Sequence, residues 1–324
     1  MIGKIPRIVA SFVAVPLAIA LGLIASQRPI EMAGAGGLDF SRQVVRKGDP
    51  LPVEKVAMRD GFGLSVRHVG QGGDKPLLVL VHGSGWHGAQ FDALAPQLAD
   101  VAEVLAPDLR GHGAEPERRG DVDYIGQFED DLADLIRATA QPGQKVVLAG
   151  HSSGGGLVVR FAGGEHRDLI DGAVLMAPFL KYNAPTTRPN SGGWAHILLR
   201  RIIGLTMLNA AGIKALNHLT VIQFDMPKTV LDGPLGHTAT TAYSHRLNTS
   251  FAPRSAYEKD IAALPRFLLI AGAEDEAFFA DRFEPLMAPL NGNGQYRLVE
   301  GVSHLDIVDA PETKTAIRDF LNEL

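Results

Sequence analysis

Short apolar runs recur along the chain at 77–81, 101–106, 145–149 and 172–176, separated by amphipathic stretches at 90–98, 124–138 and 155–162. Continuous apolar runs of this length fit strands buried on both faces, and apolar positions spaced by three and four fit the helices that cover them. Such alternation with short linkers predicts an α/β fold with a mostly parallel sheet between two layers of helices. Ahead of it, 53–58 and 64–69 flank Asp60-Gly61, a hairpin signal. After Pro178 the alternation stops. No clear strand follows, but an apolar stretch beginning at Trp194, "WAHILLRRIIGLTMLNAAGIKALNHL", predicts helix. Strands resume at 266–271 and 296–299, with helices at 278–290 (broken at Pro285) and 311–321. The pattern divides the chain into a core over 53–178 and 255–324 and an inserted helical cap over 179–254.

The N-terminus reads differently. Lys4 and Arg7 precede residues 8–26, which carry no charge and come close to the ~20 apolar residues that span a bilayer. A cleaved signal would share the basic start but have a shorter apolar region, of about 7–15 residues. Ala33-Gly34-Ala35 is the candidate cleavage site. The expectation is a transmembrane helix within 1–30, with a cleaved signal segment as the alternative, and a tether over 31–52. The positive charges before the span favour a cytosolic N-terminus, with the domain that follows expected on the non-cytoplasmic side of the membrane.

Composition narrows the chemistry. The 324 residues are 46% hydrophobic and 21% charged with a net charge of −5, enough for a sizeable core. No basic stripe is present to hold nucleic acid. There is no cysteine, which removes disulfides, thiolate nucleophiles and cysteine-ligated metals together.

Two glycine motifs compete for the site. "HGSGWHG" places Gly83, Gly85 and Gly88 as G-x-G-x-x-G after a strand, and the next strand runs towards Asp108, where a ribose-binding acid would stand in a dinucleotide fold. The second motif is "GHSSG", Gly150 to Gly154, between a strand and a helix. G-x-S-x-G in that place makes a sharp turn that raises its serine, Ser152, above the carboxyl edge of the sheet. A serine hydroxyl needs a base, and the base an orienting acid. In this architecture they follow the serine in the order acid, histidine, each just past a strand. "AGAEDEAF" offers Asp275, with Glu274 and Glu276 beside it, and "EGVSHLDIV" offers His304. Acyl transfer also needs two backbone N–H donors for the developing oxyanion. One is that of Ser153, and the loop after 77–81 offers the other from Ser84 or Gly85, Ser84 being preferred. His82 is read as a brace for that loop. His112, His151, His237 and His245 are read as structural or substrate-lining, and the acidic face of Glu129, Asp130, Asp131 and Asp134 as solvated.

"HGSGW", "DLRGHG", "GHSSGG", "AGAEDE" and "GVSHL", in that order, resemble the α/β-hydrolase superfamily, and within it the lysophospholipase and monoacylglycerol-lipase-like group, also described as serine aminopeptidase-like. The resemblance runs from Pro52 to Leu324. It implies an eight-stranded sheet, a helical cap after the sixth strand and a Ser152–His304–Asp275 triad that needs neither cofactor nor metal. A serine rather than an aspartate at the nucleophile position argues against epoxide hydrolase and dehalogenase chemistry. The function expected is a serine esterase acting on a small-molecule ester, lipid-like or with another apolar acyl group. A small-molecule amidase or peptidase with the same triad and a non-catalytic membrane-tethered binding protein are the alternatives.

Overall fold

A computed structural model describes residues 5–34, 37–40 and 50–324, with side chains from Ala14 onward. In chain order the elements are α1 (Ile5–Ala25), β1 (Val53–Ala57), β2 (Gly63–Val69), β3 (Leu77–Val81), β4 (Glu103–Asp108), α2 (Gln127–Thr139), β5 (Val146–His151), α3 (Ser153–Ala162) and β6 (Gly172–Met176). An insertion then carries β7 (Ala195–Ile197), α4 (Leu199–Ala210), β8 (Thr220–Phe224), α5 (Lys228–Leu231), β9 (Ala242–Ser244) and α6 (His245–Phe251). The chain ends with α7 (Tyr257–Ala262), β10 (Arg266–Gly272), α8 (Phe283–Met287), β11 (Gly294–Val299) and α9 (Pro311–Asn322).

Eight strands form one sheet in the order β1-β2-β4-β3-β5-β6-β10-β11. The β1–β2 and β2–β4 pairs are antiparallel and every other pair is parallel. The central strands β3, β5 and β6 are buried throughout, which is why their sequences are apolar on both faces instead of alternating. This is the α/β-hydrolase fold. Parallel strands place their carboxyl ends on one edge, and the loops after β3, β5, β10 and β11 gather there.

Four expectations need correction. The insertion is not purely helical, because β7, β8 and β9 form a three-stranded antiparallel sheet. Strands of three and five residues are too short to show an alternating pattern. The stretch from Trp194 read as helix begins as β7 and turns helical only at Leu199. Residues 90–98 form two 3-10 turns, Gly88–Phe91 and Ala95–Leu98, the second with a proline at its start. The acidic face of α2 is not simply solvated. Glu129 is buried between Arg160 and Arg254, and Asp131 pairs with Arg110.

The membrane anchor is a further expectation, and it finds no support here. Among the described residues no helix is long and apolar enough to cross a membrane. Helix α1 instead packs on α4 of the insertion, where Ala20 and Ile24 join Leu205, Leu208 and Val221 in a small apolar cluster of their own. The approach is close: a Cβ on Gly204 would lie 2.5 Å from the Ala20 carbonyl oxygen. Lys4, Ala35 and residues 41–49 of the expected tether lie outside the described residues, as does the side chain of Arg7.

Candidate active site

The turn between β5 and α3 fixes Ser152 at φ 54°, ψ −119°, a conformation a serine adopts only where its surroundings enforce it. Three backbone hydrogen bonds do so: Ser152 N–H donates to Met176 O at 2.9 Å, and Ser152 O accepts from Gly156 at 3.1 Å and Phe179 at 2.9 Å. The turn is tight enough that a Cβ on Gly154 would stand 2.2 Å from the Val81 carbonyl oxygen, so the motif glycine there cannot be exchanged.

The structure brings Ser152, Asp275 and His304 together. His304 Nε2 is 3.0 Å from Ser152 Oγ, and Nδ1 is 2.8 Å from Asp275 Oδ2. An ionised carboxylate only accepts, so Nδ1 carries the proton and Nε2 turns its lone pair to the serine. Asp275 is 1% exposed. Burial pushes its carboxyl up, but the neighbouring His304 and the N–H groups of Phe278 and Ala277, both donating to Oδ1, outweigh this and hold it below the usual range. Of its neighbours, Glu274 is exposed. Glu276 is near the histidine but accepts the backbone N–H of His304 at 2.9 Å, not the ring.

The loop after β3 is tied down at its three glycines. Gly83 N–H donates to Gln90 Oε1 at 3.0 Å, Gly85 N–H to Tyr243 Oη at 2.7 Å and Gly88 N–H to Asp108 at 2.8 Å. The three glycine amides of the G-x-G-x-x-G array are thus engaged within the protein. Of the two candidates for an oxyanion donor, Gly85 is committed to Tyr243, which leaves Ser84. The Ser84 and Ser153 hydroxyls are 2.5 Å apart, which ties together the two residues whose N–H groups are the expected donors. His82 is buried with Nδ1 donating to Gly83 O at 2.8 Å and Nε2 accepting from Leu109 N–H at 3.1 Å. Burial lowers its pKa to about 4, so it is a neutral brace.

Two contributors, Tyr243 and Gln90, were not legible in the sequence. Tyr243, from β9, accepts the Gly85 N–H and donates to His112 Nε2 at 2.8 Å. His112 Nδ1 faces Arg110 O at 3.2 Å, which fixes that tautomer. Gln90 donates to His151 Nδ1 at 2.7 Å, and His151 Nε2 donates to His304 O at 2.9 Å. One chain of side chains therefore links the β3 loop, the serine turn and the histidine loop. Burial, with His304 alongside, drops His151 to about 3, so this link stays neutral. No local motif marks Tyr243 or Gln90, because each acts on a partner distant in sequence.

Two cavities flank Ser152. The larger, about 260 Å³, is walled by apolar side chains including Phe40, Trp86, Trp194 and Met226. The smaller, about 70 Å³, lies among Phe179, Ile222, Phe224 and Phe278. Among the described residues, no group of three or more His, Asp or Glu could hold a metal ion.

Comparison with known proteins agrees with this architecture. The family model described as serine aminopeptidase, S33, matches residues 73–305. An uncharacterized protein of Mycobacterium bovis is 30% identical over 139 residues, 41% of this chain and 39% of the relative. A rice protein described as esterase PIR7B is 38% identical over 108 residues, 32% of this chain and 38% of the relative. The alignment thus spans about two fifths of the length of these curated relatives. Among solved structures, the monoacylglycerol lipase of Paleococcus ferrophilus superposes with a TM-score of 0.58 at 21% identity, covering 80% of this chain and 98% of the lipase. The chain belongs to the serine aminopeptidase S33 family of α/β-hydrolases.

Proposed function

We propose that the protein is a serine hydrolase of carboxylic esters with an apolar chain. The observation that carries this reading is the continuous hydrogen-bond line from Ser152 Oγ through His304 to buried Asp275, on a strained turn at the mouth of an apolar chamber. His304 Nε2 takes the hydroxyl proton as Ser152 Oγ attacks the ester carbonyl carbon. Asp275 keeps the ring in the required tautomer and stabilises the imidazolium that forms. The N–H groups of Ser84 and Ser153 receive the oxyanion, each worth about 10²–10³ in rate in such sites. Collapse expels the alcohol, protonated by His304, and leaves an acyl ester on Ser152. A water deprotonated by His304 then releases the acid and restores the serine.

The lipid-like substrate is supported by the aromatic and aliphatic chamber walls and by the likeness to a monoacylglycerol lipase. The family description favours one second reading, an amide or peptide substrate cleaved by the same groups. The test is labelling of the full chain with a fluorophosphonate, with Ser152→Ala as control, followed by paired ester and amide substrates of equal acyl length. Label confined to Ser152 and faster ester turnover are expected. An unlabelled, folded chain would overturn the reading in favour of a binding protein, and faster amide turnover would favour the peptidase.

A further inference from the structure

Residues 30–34 and 37–40, ahead of the family match, are held against the insertion and the histidine loop. The side chain of Gln223, in β8, grips the backbone of Ile30 from both sides, accepting its N–H at 2.9 Å and donating to its carbonyl at 2.7 Å. Gly34 N–H donates to Asp225 Oδ1 at 2.7 Å. Gly37 lies so close to the insertion that a Cβ there would be 2.4 Å from Trp194 N. The Phe40 ring then packs on Trp194 with centroids 5.5 Å apart, and Trp194 stacks on Phe224. Leu38 and Phe40 both line the larger cavity beside Ser152. Between them, Asp39 N–H donates to Glu276 Oε1 at 2.9 Å, while Glu276 Oε2 accepts the His304 N–H.

We propose that residues 30–34 and 37–40 form a fixed wall of the substrate chamber, with Leu38 and Phe40 determining the length of apolar chain admitted. Glu276 is the positioning residue that joins the wall to the histidine loop. The proposal rests on the esterase reading for the identity of the substrate but not for the existence of the wall. A tether would have no reason to satisfy its backbone groups against the side chains of Gln223, Asp225 and Glu276, or to bury aromatic surface against Trp194. Ordering residues costs conformational entropy, and here it is offset by these contacts. An apolar ring facing the chamber has the chemistry of an alkyl chain as its complement. That chain arrives either as the acyl group or as the alcohol of the ester.

The protein contains two tryptophans, and both Trp86 and Trp194 line the chamber, so intrinsic fluorescence reports occupancy without catalysis. In the full chain, titration with 1-decanol and with decanoic acid is expected to change that fluorescence. Phe40→Ala should weaken binding about tenfold, the size expected for losing one aromatic contact surface. Phe40→Trp, which keeps the packing on Trp194 and intrudes on the chamber, should shift the preferred chain to shorter lengths. Kinetics with 4-nitrophenyl esters of two to twelve carbons, set against alkyl acetates of the same range, distinguish the two sources. The series whose KM rises in Phe40→Ala for long chains only, with its two-carbon member unchanged within twofold, contains the chain the wall contacts. Equal losses at every length, or decanol and decanoate binding unchanged in both variants, would overturn the proposal. Failure of the esterase reading would show separately, as absent fluorophosphonate labelling of Ser152 with chain binding still sensitive to residue 40.

Discussion

The floor of the site and its roof are built by different means. The floor is the carboxyl edge of the large sheet. There Ser152, Asp275 and His304 stand on loops braced by directional hydrogen bonds, such as the line from Gly83 through Gln90 and His151 to His304 O. The roof is the insertion with residues 30–34 and 37–40; its interior is aromatic packing of Trp194, Phe224 and Tyr243, and it meets the floor through Tyr243 and Phe251 set against His82, Gly85 and His112. The floor requires sub-ångström placement, because a reacting oxygen and its base must sit within hydrogen-bond reach. The roof requires only shape and apolarity, which many side chains can supply.

That difference is tested most severely at Asp275. Asp275→Asn keeps the shape of the floor but presents an amide that can donate to His304 Nδ1 and stabilise the wrong tautomer. A loss of about 10⁴ in kcat is expected, the size seen when an analogous triad acid is amidated. Glu274→Gln, at an exposed neighbour, should leave kcat unchanged. Steady-state kinetics on one ester series decides it, and equal losses in both variants would remove Asp275 from the floor.

The contrast also explains which parts could be read from sequence. The triad was legible because each member follows a strand in a short motif, and the apolar runs of β3, β5 and β6 announce a buried parallel sheet. The roof was not, since β7 and β9 are three residues each and pair with partners about twenty or more residues away. The role of Tyr243 depends on His112 and Gly85, more than a hundred residues distant. Likewise, nothing in "GLDF" announces that Phe40 meets Trp194. The packing of Ala20 and Ile24 on α4 was not legible for a related reason: an apolar stretch that covers another helix and one that crosses a bilayer look alike in composition.

Acid probes the cost of the floor's bracing at an intermediate scale. His82 and His151 are buried as neutral braces, with pKa values lowered to about 4 and about 3 by burial, against about 6.5 in an unfolded chain. The unfolded state therefore takes up protons first as pH falls below 6.5, and the stability these groups hold above that value is lost on the way down towards their folded values. Between pH 7 and pH 5 the expected loss is roughly 2 kcal/mol for each. His245 in the roof is lowered to about 4 by burial as well and acts in the same direction. Urea unfolding at the two pH values measures the sum, and a midpoint that stays constant would mean that these imidazoles are not neutral braces.

The smallest effect is expected where roof meets N-terminus. Helix α1 touches the insertion through the cluster of Ala20, Ile24, Leu205, Leu208 and Val221, separate from the main core. Gly204→Leu would drive a side chain into the Ala20 carbonyl and the Ile24 side chain, which lie 2.5 and 2.7 Å from the position of a Cβ. The two helices must then separate, which exposes about one small cluster's worth of apolar surface, on the order of 1–3 kcal/mol of local stability. Because Ile30, Gly34 and Asp39 are each anchored to the insertion or to Glu276 by their own hydrogen bonds, loosening α1 should leave the chamber wall in place. Limited proteolysis should cut between α1 and residue 30 faster in Gly204→Leu, while ester hydrolysis stays within about twofold, inside the range of a change remote from the chemistry. A large loss of activity in that variant would show that α1 holds the wall in place, and the roof would then include α1.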